Sequence, residues 1–217
     1  MSDIQQYIAT VRKDYASQSL DEQHIDKNHI KQFEKWFDEA VKAEVPEPNA
    51  MTLATATANG KPSTRIVLLR GFDEKGFVFY TNYSSKKGME LIKNPYASLN
   101  FFWHEIERQV RIEGKIEKVS PKQSDEYFAS RPKGSQLGAW ASTQSRVIKN
   151  REELEAKMLE LEIKYKTKTV PRPPYWGGFC LSPTLIEFWQ GRPNRLHDRI
   201  QYELQQNGKW IIQRLAP

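Results

Sequence analysis

Two Asn-Gly pairs, Asn59-Gly60 and Asn207-Gly208, stand between runs of alternating apolar and polar residues. An Asn-Gly pair between such runs is the strongest short-range signal for a β-hairpin, because both residues tolerate the positive φ a tight turn needs. Met51 to Thr57 and Ser63 to Arg70 flank the first pair, and the segment ending in Trp210-Ile-Ile-Gln-Arg-Leu follows the second. A third turn, Asp73-Glu-Lys-Gly76, leads into Phe77-Val-Phe-Tyr-Thr-Asn82, so the reading is three consecutive antiparallel strands. Tyr96 to Trp103 and Glu107 to Val119 make a further pair, with Val110, Ile112 and Gly114 alternating against Gln109, Arg111 and Glu113. Strands joined by short turns imply an antiparallel sheet, closed as a barrel.

Helices fall between groups of strands. Asn28 caps one in which Ile30, Phe33, Trp36, Phe37, Ala40 and Val41 recur at helical spacing, and Pro46 and Pro48 end it. A short helix is expected from Ser85 to Lys93, and another begins at Ser120-Pro121, cap then proline. Pro132 to Trp140, with two glycines, reads as a loop. Asn150 with Glu153 resembles a capping arrangement for a charged helix to about Lys166. Helices that do not alternate with single strands disfavour a doubly wound parallel sheet. The reading is mainly β with peripheral helices (α+β), one domain over 27–217, after a weakly anchored segment over 1–26 that is a possible lid.

The formal charge is +6, which suits an anionic partner. The single cysteine, Cys180, excludes an intrachain disulfide and reads as a small core residue. The N-terminus has no secretory signal, and no apolar run is long enough to span a bilayer, so the expectation is a cytoplasmic protein without membrane contact. There is no glycine-rich dinucleotide fingerprint, Walker loop, zinc-ligand spacing or Gly-x-Ser-x-Gly elbow. No metal site is expected.

The densest chemistry lies in Phe188 to Arg199, which carries three arginines, His197, Trp189 and Asp198. Guanidinium groups bind phosphates and carboxylates through paired hydrogen bonds. An anion-recognising loop and a solvated basic turn both fit this stretch. Other cations mark separate strand or helix ends: Arg65 and Arg70 around the apolar run Ile66 to Leu69, Lys86-Lys87 at a helix start, and Arg131. A helix start adds its own attraction for phosphate. Composition alone also permits a basic module for RNA, but the charges are scattered over strand ends and form no single stripe.

Several segments in order resemble the pyridoxine (pyridoxamine) 5'-phosphate oxidase family: Arg65-Ile-Val-Leu-Leu-Arg70, Phe79-Tyr-Thr-Asn82, Glu107-Arg-Gln-Val110, Ser130-Arg-Pro132, Ser135-Gln-Leu-Gly-Ala-Trp140, Phe188-Trp-Gln190 and Asn194-Arg-Leu-His-Asp-Arg199. The resemblance runs from Arg12-Lys-Asp-Tyr15 to Arg214-Leu-Ala-Pro217. It implies a split β-barrel and a homodimer with FMN at the subunit interface. It implies that FMN is met by Arg65, Ile66, Val67, Leu68, Leu69, Arg70, Tyr80, Thr81, Lys86, Lys87, Gln109, Gln144, Ser145, Trp189 and Arg199. It also implies a substrate site of Arg70, Tyr127, Arg131 and Ser135 around a phosphate, with Arg195 and His197 near a pyridine ring as the catalytic pair. Arg12, Lys13, Asp14 and Tyr15 would close over the site as a lid. The implied reaction oxidises pyridoxine 5'-phosphate and pyridoxamine 5'-phosphate to pyridoxal 5'-phosphate, with O2 as acceptor, and no nucleic acid is involved. The family often has lysine at the position of Arg70 and arginine at that of Lys86, exchanges that keep charge but alter reach. The competing reading is a split-barrel flavoprotein reductase acting on another substrate.

Overall fold

The computed structural model describes residues 3–10, 15 and 18–217. The chain forms two compact units. One comprises the described residues up to Pro48 with Phe101–Arg111 and Leu185–Pro217, the other Asn49–Asn100 with Ile112–Thr184. Helices α1 (Asp3–Thr10) and α2 (His29–Lys42) belong to the first unit. Strands β1 (Ala50–Ala56), β2 (Pro62–Leu68), β3 (Gly71–Asp73), β4 (Gly76–Asn82) and helix α3 (Lys86–Lys93) belong to the second. Strand β5 (Tyr96–Trp103) leads from the second unit into the first, and β6 (Arg108–Lys118) leads back. Helices α4 (Pro121–Ser130), α5 (Lys133–Ala141) and α6 (Arg151–Lys164) follow in the second unit. The long strand β7 (Trp176–Gln190) returns to the first, which β8 (Asp198–Leu204) and β9 (Trp210–Arg214) complete.

The strand order is β2-β1-β5-β6-β7-β4-β3, with β8 on β7 and β9 on β8. Pairing is antiparallel for β1 with β2 and β5, for β4 with β3 and β7, and along β7-β8-β9. The Asn59-Gly60 hairpin forms as expected, with Ala50 opposite Leu68 and Ala56 opposite Pro62. Gly60 and Gly208 take φ of 82° and 77°, the left-handed conformation for which glycine carries no steric penalty. One pairing differs from the sequence reading. Strand β4 does not continue the hairpin but pairs with β7, Phe77 opposite Leu181 and Asn82 opposite Trp176. Its burial explains why: all of β4 except Tyr80 is buried, so it is an interior strand and needs a partner on each edge.

In the first unit α2 begins where Asn28 Oδ1 accepts from the backbone N–H groups of Ile30 and Lys31. Such a cap is worth about 1 kcal/mol. The face of Ile30, Phe33, Trp36 and Ala40 is buried, and Phe33 meets the rings of Phe101 and Trp103 at 5.3 and 6.3 Å. Val41, expected on that face, is 51% exposed.

In the second unit Phe128, Leu137, Tyr165, Val170 and Trp176 form a cluster under α4, α5 and α6. The α5 helix corrects the expectation of a loop over Pro132 to Trp140. Leu137 and Ala141, four residues apart, are buried on one face, and that packing outweighs the propensity penalty of Gly134 and Gly138, about 1 kcal/mol each. Cys180 is half-buried, and burial pushes its thiol up to about 11. No helix among the described residues is long and apolar enough to cross a membrane.

Candidate functional site

A cavity of about 470 Å³ lies in the second unit, between the end of β2, strand β4 and helices α4 and α5. Its charged lining is Arg70, Lys87 and Arg131, and no lining residue is a carboxylate. Hydroxyl and amide groups of Tyr80, Thr81, Tyr127, Ser135 and Gln144 complete the polar wall. The backbone edge is Ile66, Val67 and Leu68. Three cations facing one cavity repel one another, so the arrangement favours an anion between them.

Each cation is held differently. Lys87 Nζ donates to Thr81 Oγ1 at 3.3 Å and Gln144 Oε1 at 3.2 Å. Burial pushes its ammonium down from the ordinary lysine range, and the neighbouring Arg65 charge adds to this. Arg131 packs its guanidinium over the Trp176 ring, 4.6 Å from the centroid, and its Nη1 is buried without a hydrogen-bond partner. Burial lowers the Arg131 pKa and so does the Arg70 charge, while Tyr127 acts in the opposite sense. Arg70 is exposed and lies 6.0 Å from the Tyr127 ring centre. A buried guanidinium nitrogen with no acceptor costs on the order of 1–3 kcal/mol, which a phosphate or carboxylate oxygen recovers.

The wall behind them is aromatic. Tyr80 stacks on Tyr127 at 3.8 Å and 15°, and lies 5.7 Å and 12° from Trp176. Burial raises the Tyr80 phenol, with Tyr127 adding to the effect. Tyr80 therefore stays neutral.

Four residues of the expected flavin set in this unit lie outside the cavity lining. Leu69 is buried, and its N–H goes to Asn49 O at 2.8 Å. Lys86 and Ser145 are exposed, and Ser145 sits at φ 71°. Arg65 is turned to a buried network: it donates to Leu53 O, Thr55 Oγ1, Ser63 O, Ser63 Oγ and Glu90 Oε2. Glu90 also accepts from Thr55 at 2.5 Å and Ser63 at 2.7 Å. Burial alone would raise the Glu90 pKa, but these hydrogen bonds outweigh it and hold the carboxyl below its usual range. Arg65 thus reaches the cavity only through its charge on Lys87.

The first unit holds the other expected residues. The backbone N–H of Arg192 donates to His197 Nδ1 at 3.1 Å. The His197 ring lies 4.6 Å from Trp189, and Tyr15 meets both rings edge-on at 6.0 and 5.8 Å. Burial lowers the His197 pKa, as does the Arg195 charge, against a smaller opposing effect of Asp198. A Cβ on Gly191 would lie 2.7 Å from the Tyr15 Cβ, so only glycine lets that ring in. Arg195 is exposed, at φ 61°. Arg199 donates to both oxygens of the buried Glu187, at 2.7 and 3.1 Å, and Arg111 donates to the same carboxylate at 2.6 Å. Gln109 is half-buried on β6. Arg12, Lys13 and Asp14 lie outside the described residues.

Asn82, Gly138, Ala139, Ser142 and Trp176 line the cavity although the sequence reading gave them no site role. Trp176 follows a proline-rich loop, where an aromatic residue reads as core. Its cavity face emerges only from the pairing that sets Trp176 opposite Asn82.

An antiparallel half-barrel sheet with helices, carrying a cation-lined cavity, defines a split-barrel protein with a site suited to an anion. The sequence pattern described as "Pyridoxamine 5'-phosphate oxidase" matches residues 37–165, and that described as "Pyridoxine 5'-phosphate oxidase C-terminal dimerisation region" matches residues 176–217. The chain belongs to the pyridoxamine 5'-phosphate oxidase family. It is 58% identical over 210 residues to a pyridoxine/pyridoxamine 5'-phosphate oxidase of Cyanothece sp. (strain PCC 7425 / ATCC 29141), covering 97% of this chain and 98% of the relative. It is 57% identical to the protein of that name from Paraburkholderia phymatum, covering 97% of this chain and 99% of the relative. Among solved structures, PhzG from Burkholderia lata 383, in complex with tetrahydrophenazine-1-carboxylic acid, superposes with TM-score 0.87 at 32% identity, covering 93% of this chain and all of that one.

Proposed function

We propose that this chain is a homodimeric, cytoplasmic, FMN-dependent oxidase of pyridoxine 5'-phosphate and pyridoxamine 5'-phosphate, forming pyridoxal 5'-phosphate. The observation that carries the reading is the cavity bounded by Arg70, Lys87 and Arg131 with no carboxylate in its lining. A flavin and a substrate that each bear a phosphate supply the anions this charge calls for. The family's C-terminal dimerisation region supports the dimer.

In this proposal the bound flavin supplies a two-electron acceptor that dioxygen regenerates, with release of hydrogen peroxide. The alcohol of pyridoxine 5'-phosphate loses two electrons and two protons to give the aldehyde. The amine of pyridoxamine 5'-phosphate gives an imine, which water hydrolyses to aldehyde and ammonia. Arg131, Arg70, Tyr127 and Ser135 clamp the substrate phosphate, which fixes the ring and makes transfer effectively intramolecular. Lys87, Thr81 and Gln144 would form a linked set of donors and acceptors for FMN, with Arg65 acting through its charge on Lys87, and the family resemblance adds Lys86, Ser145, Gln109, Trp189 and Arg199 to the flavin contacts. Arg195 orients the reacting carbon and stabilises developing charge. His197 presents Nε2–H to the ring, because its Nδ1 is taken by Arg192 N–H. The edge-on seat of Tyr15 against Trp189 supports a closing N-terminal segment.

The similarity to PhzG favours a second reading, a flavoprotein acting on a carboxylated ring, since the same arginines accept a carboxylate. One assay separates the two. The purified protein should be yellow with bound FMN and should release peroxide on adding pyridoxine 5'-phosphate, but not with unphosphorylated pyridoxine. Equal rates with both compounds, or none with the phosphate ester, would sink the proposal.

A further inference from the structure

We infer that Trp176 is the positioning residue for the anion-binding Arg131, holding that guanidinium by its ring face so that its charge stays free for the ligand. The inference rests on the reading of the cavity as a phosphate site.

A buried arginine is ordinarily steadied by a carboxylate, which fixes its plane through two hydrogen bonds. Arg199 follows that pattern on Glu187. Such a partner competes with an incoming anion for the same N–H groups. Arg131 has a different seat. Its guanidinium carbon lies 4.6 Å from the Trp176 ring centre and 5.6 Å from that of Phe128. Among the described residues it makes no ion pair, and its buried Nη1 has no acceptor. The ring quadrupole attracts the cation through the face and leaves the N–H edges uncommitted.

Trp176 is itself fixed. It is 7% exposed, its N–H donates to Pro173 O at 3.0 Å, and its carbonyl accepts from Arg172 Nη1 at 2.6 Å. Phe128 packs edge-on against it at 5.2 Å, and Tyr127 lies parallel to it at 6.2 Å and 3°. Tyr127 and Arg131 both line the cavity, and both are registered against this one indole. The first residue of β7 thus aligns two ligand-facing groups of α4 and its C-cap.

The experiment is a double-mutant cycle on the flavin-loaded protein, read with inorganic phosphate. The phosphate dissociation constant is taken from the concentration dependence of the melting temperature, which requires no turnover. Trp176→Leu should weaken phosphate binding roughly tenfold and Trp176→Phe about threefold, the span expected for losing or weakening one cation–π contact. In an Arg131→Gln background both substitutions should have no further effect. With pyridoxine 5'-phosphate as substrate, KM should rise by the same factors while kcat stays within about twofold, the signature of lost uniform binding. If Trp176→Leu does not fold, Trp176→Phe with its own cycle decides alone.

The inference is overturned if the Trp176 variants bind phosphate as tightly as the parent. It is equally overturned if their loss persists in full without Arg131, or if the parent binds no phosphate. Absence of peroxide from a parent protein that binds phosphate, and whose cycle closes as described, would instead overturn the oxidase reading and leave this one standing.

Discussion

The backbone N–H of Arg192 donates to Nδ1 of His197 at 3.1 Å, and this one bond sets the tautomer of the ring. With Nδ1 accepting, the neutral imidazole carries its proton on Nε2. Protonating Nδ1 would turn the acceptor into a donor facing another donor. Burial and the Arg195 charge push the same way, holding the pKa below the ordinary 6.5.

Substrate affinity should therefore be level above pH 6.5 and fall as pH drops through the lower value of the folded state. The stability contribution has the same sign: it is present in full above the unfolded value and is lost as pH falls through the folded one. KM for pyridoxine 5'-phosphate, followed from pH 8 to pH 5, should rise at the acid end by up to about tenfold per pH unit. His197→Asn keeps an acceptor for Arg192 without titrating, so its profile should be flat. A profile unchanged by that substitution would assign the titration elsewhere.

Glu187 is the common partner of Arg199 and Arg111 and is itself buried. Glu187→Gln leaves two guanidinium groups facing a neutral amide. Both arginines are partly exposed, so water recovers some of the loss. Urea unfolding should show a destabilisation of roughly 2–3 kcal/mol, below the value for a fully buried pair. A loss under about 0.5 kcal/mol, the range of an ordinary surface substitution, would mean that the pair contributes little.

Ser145 holds a φ of 71°, a left-handed conformation that costs a residue with a side chain about 1–2 kcal/mol. Ser145→Gly removes that strain, offset in part by the extra freedom of an unfolded glycine, about 0.5–1 kcal/mol. The variant should melt at a slightly higher temperature and, on the proposed flavin site, bind FMN more weakly for want of the hydroxyl. Stability and cofactor affinity moving in opposite directions is the outcome to look for in calorimetry and flavin titration.

Arg214 donates to both oxygens of Glu22 at 2.6 and 2.7 Å, to Asp198 at 2.8 Å and to Leu20 O at 2.9 Å, tying the chain near its start to β9. The Arg214 hydrogen bonds hold the Glu22 carboxyl down from 4.5 to about 2. The pair lies at the surface, so its worth is at most about 1 kcal/mol. That stabilisation is complete above pH 4.5 and disappears as pH falls towards 2. Amide protection factors at residues 20–22, taken relative to the intrinsic exchange rate at each pH, should fall over that window, and Glu22→Gln should show the lower protection already at pH 7.

Turns and caps were legible in the sequence because they are local. Asn59-Gly60, Asn28 and Ser120-Pro121 each specify backbone geometry through their own side chains, and all three stand where expected. The α5 helix was not legible, since its two glycines argue for a loop and only packing of Leu137 and Ala141 argues otherwise. The partner of β4 was hidden for the same reason: a strand buried on both faces shows no period that says which neighbour it takes. Site chemistry divided likewise. Arg70 and Arg131 announce themselves as cations at element ends, whereas the engagement of Arg65 by Thr55, Ser63 and Glu90 depends on side chains brought together by the β1–β2 pairing and by α3.

A cavity lined by three cations and no carboxylate is also a place where the ligand-free chain works against its own folding. Every phosphate that enters removes repulsion the native state would otherwise carry, and binding at a hundred times the dissociation constant adds about 2.7 kcal/mol to stability. On the proposed function, how long each molecule survives in the cell is coupled to the supply of its own ligands. A shortage of cofactor would thin the population of protein before it slowed the chemistry of those that remain.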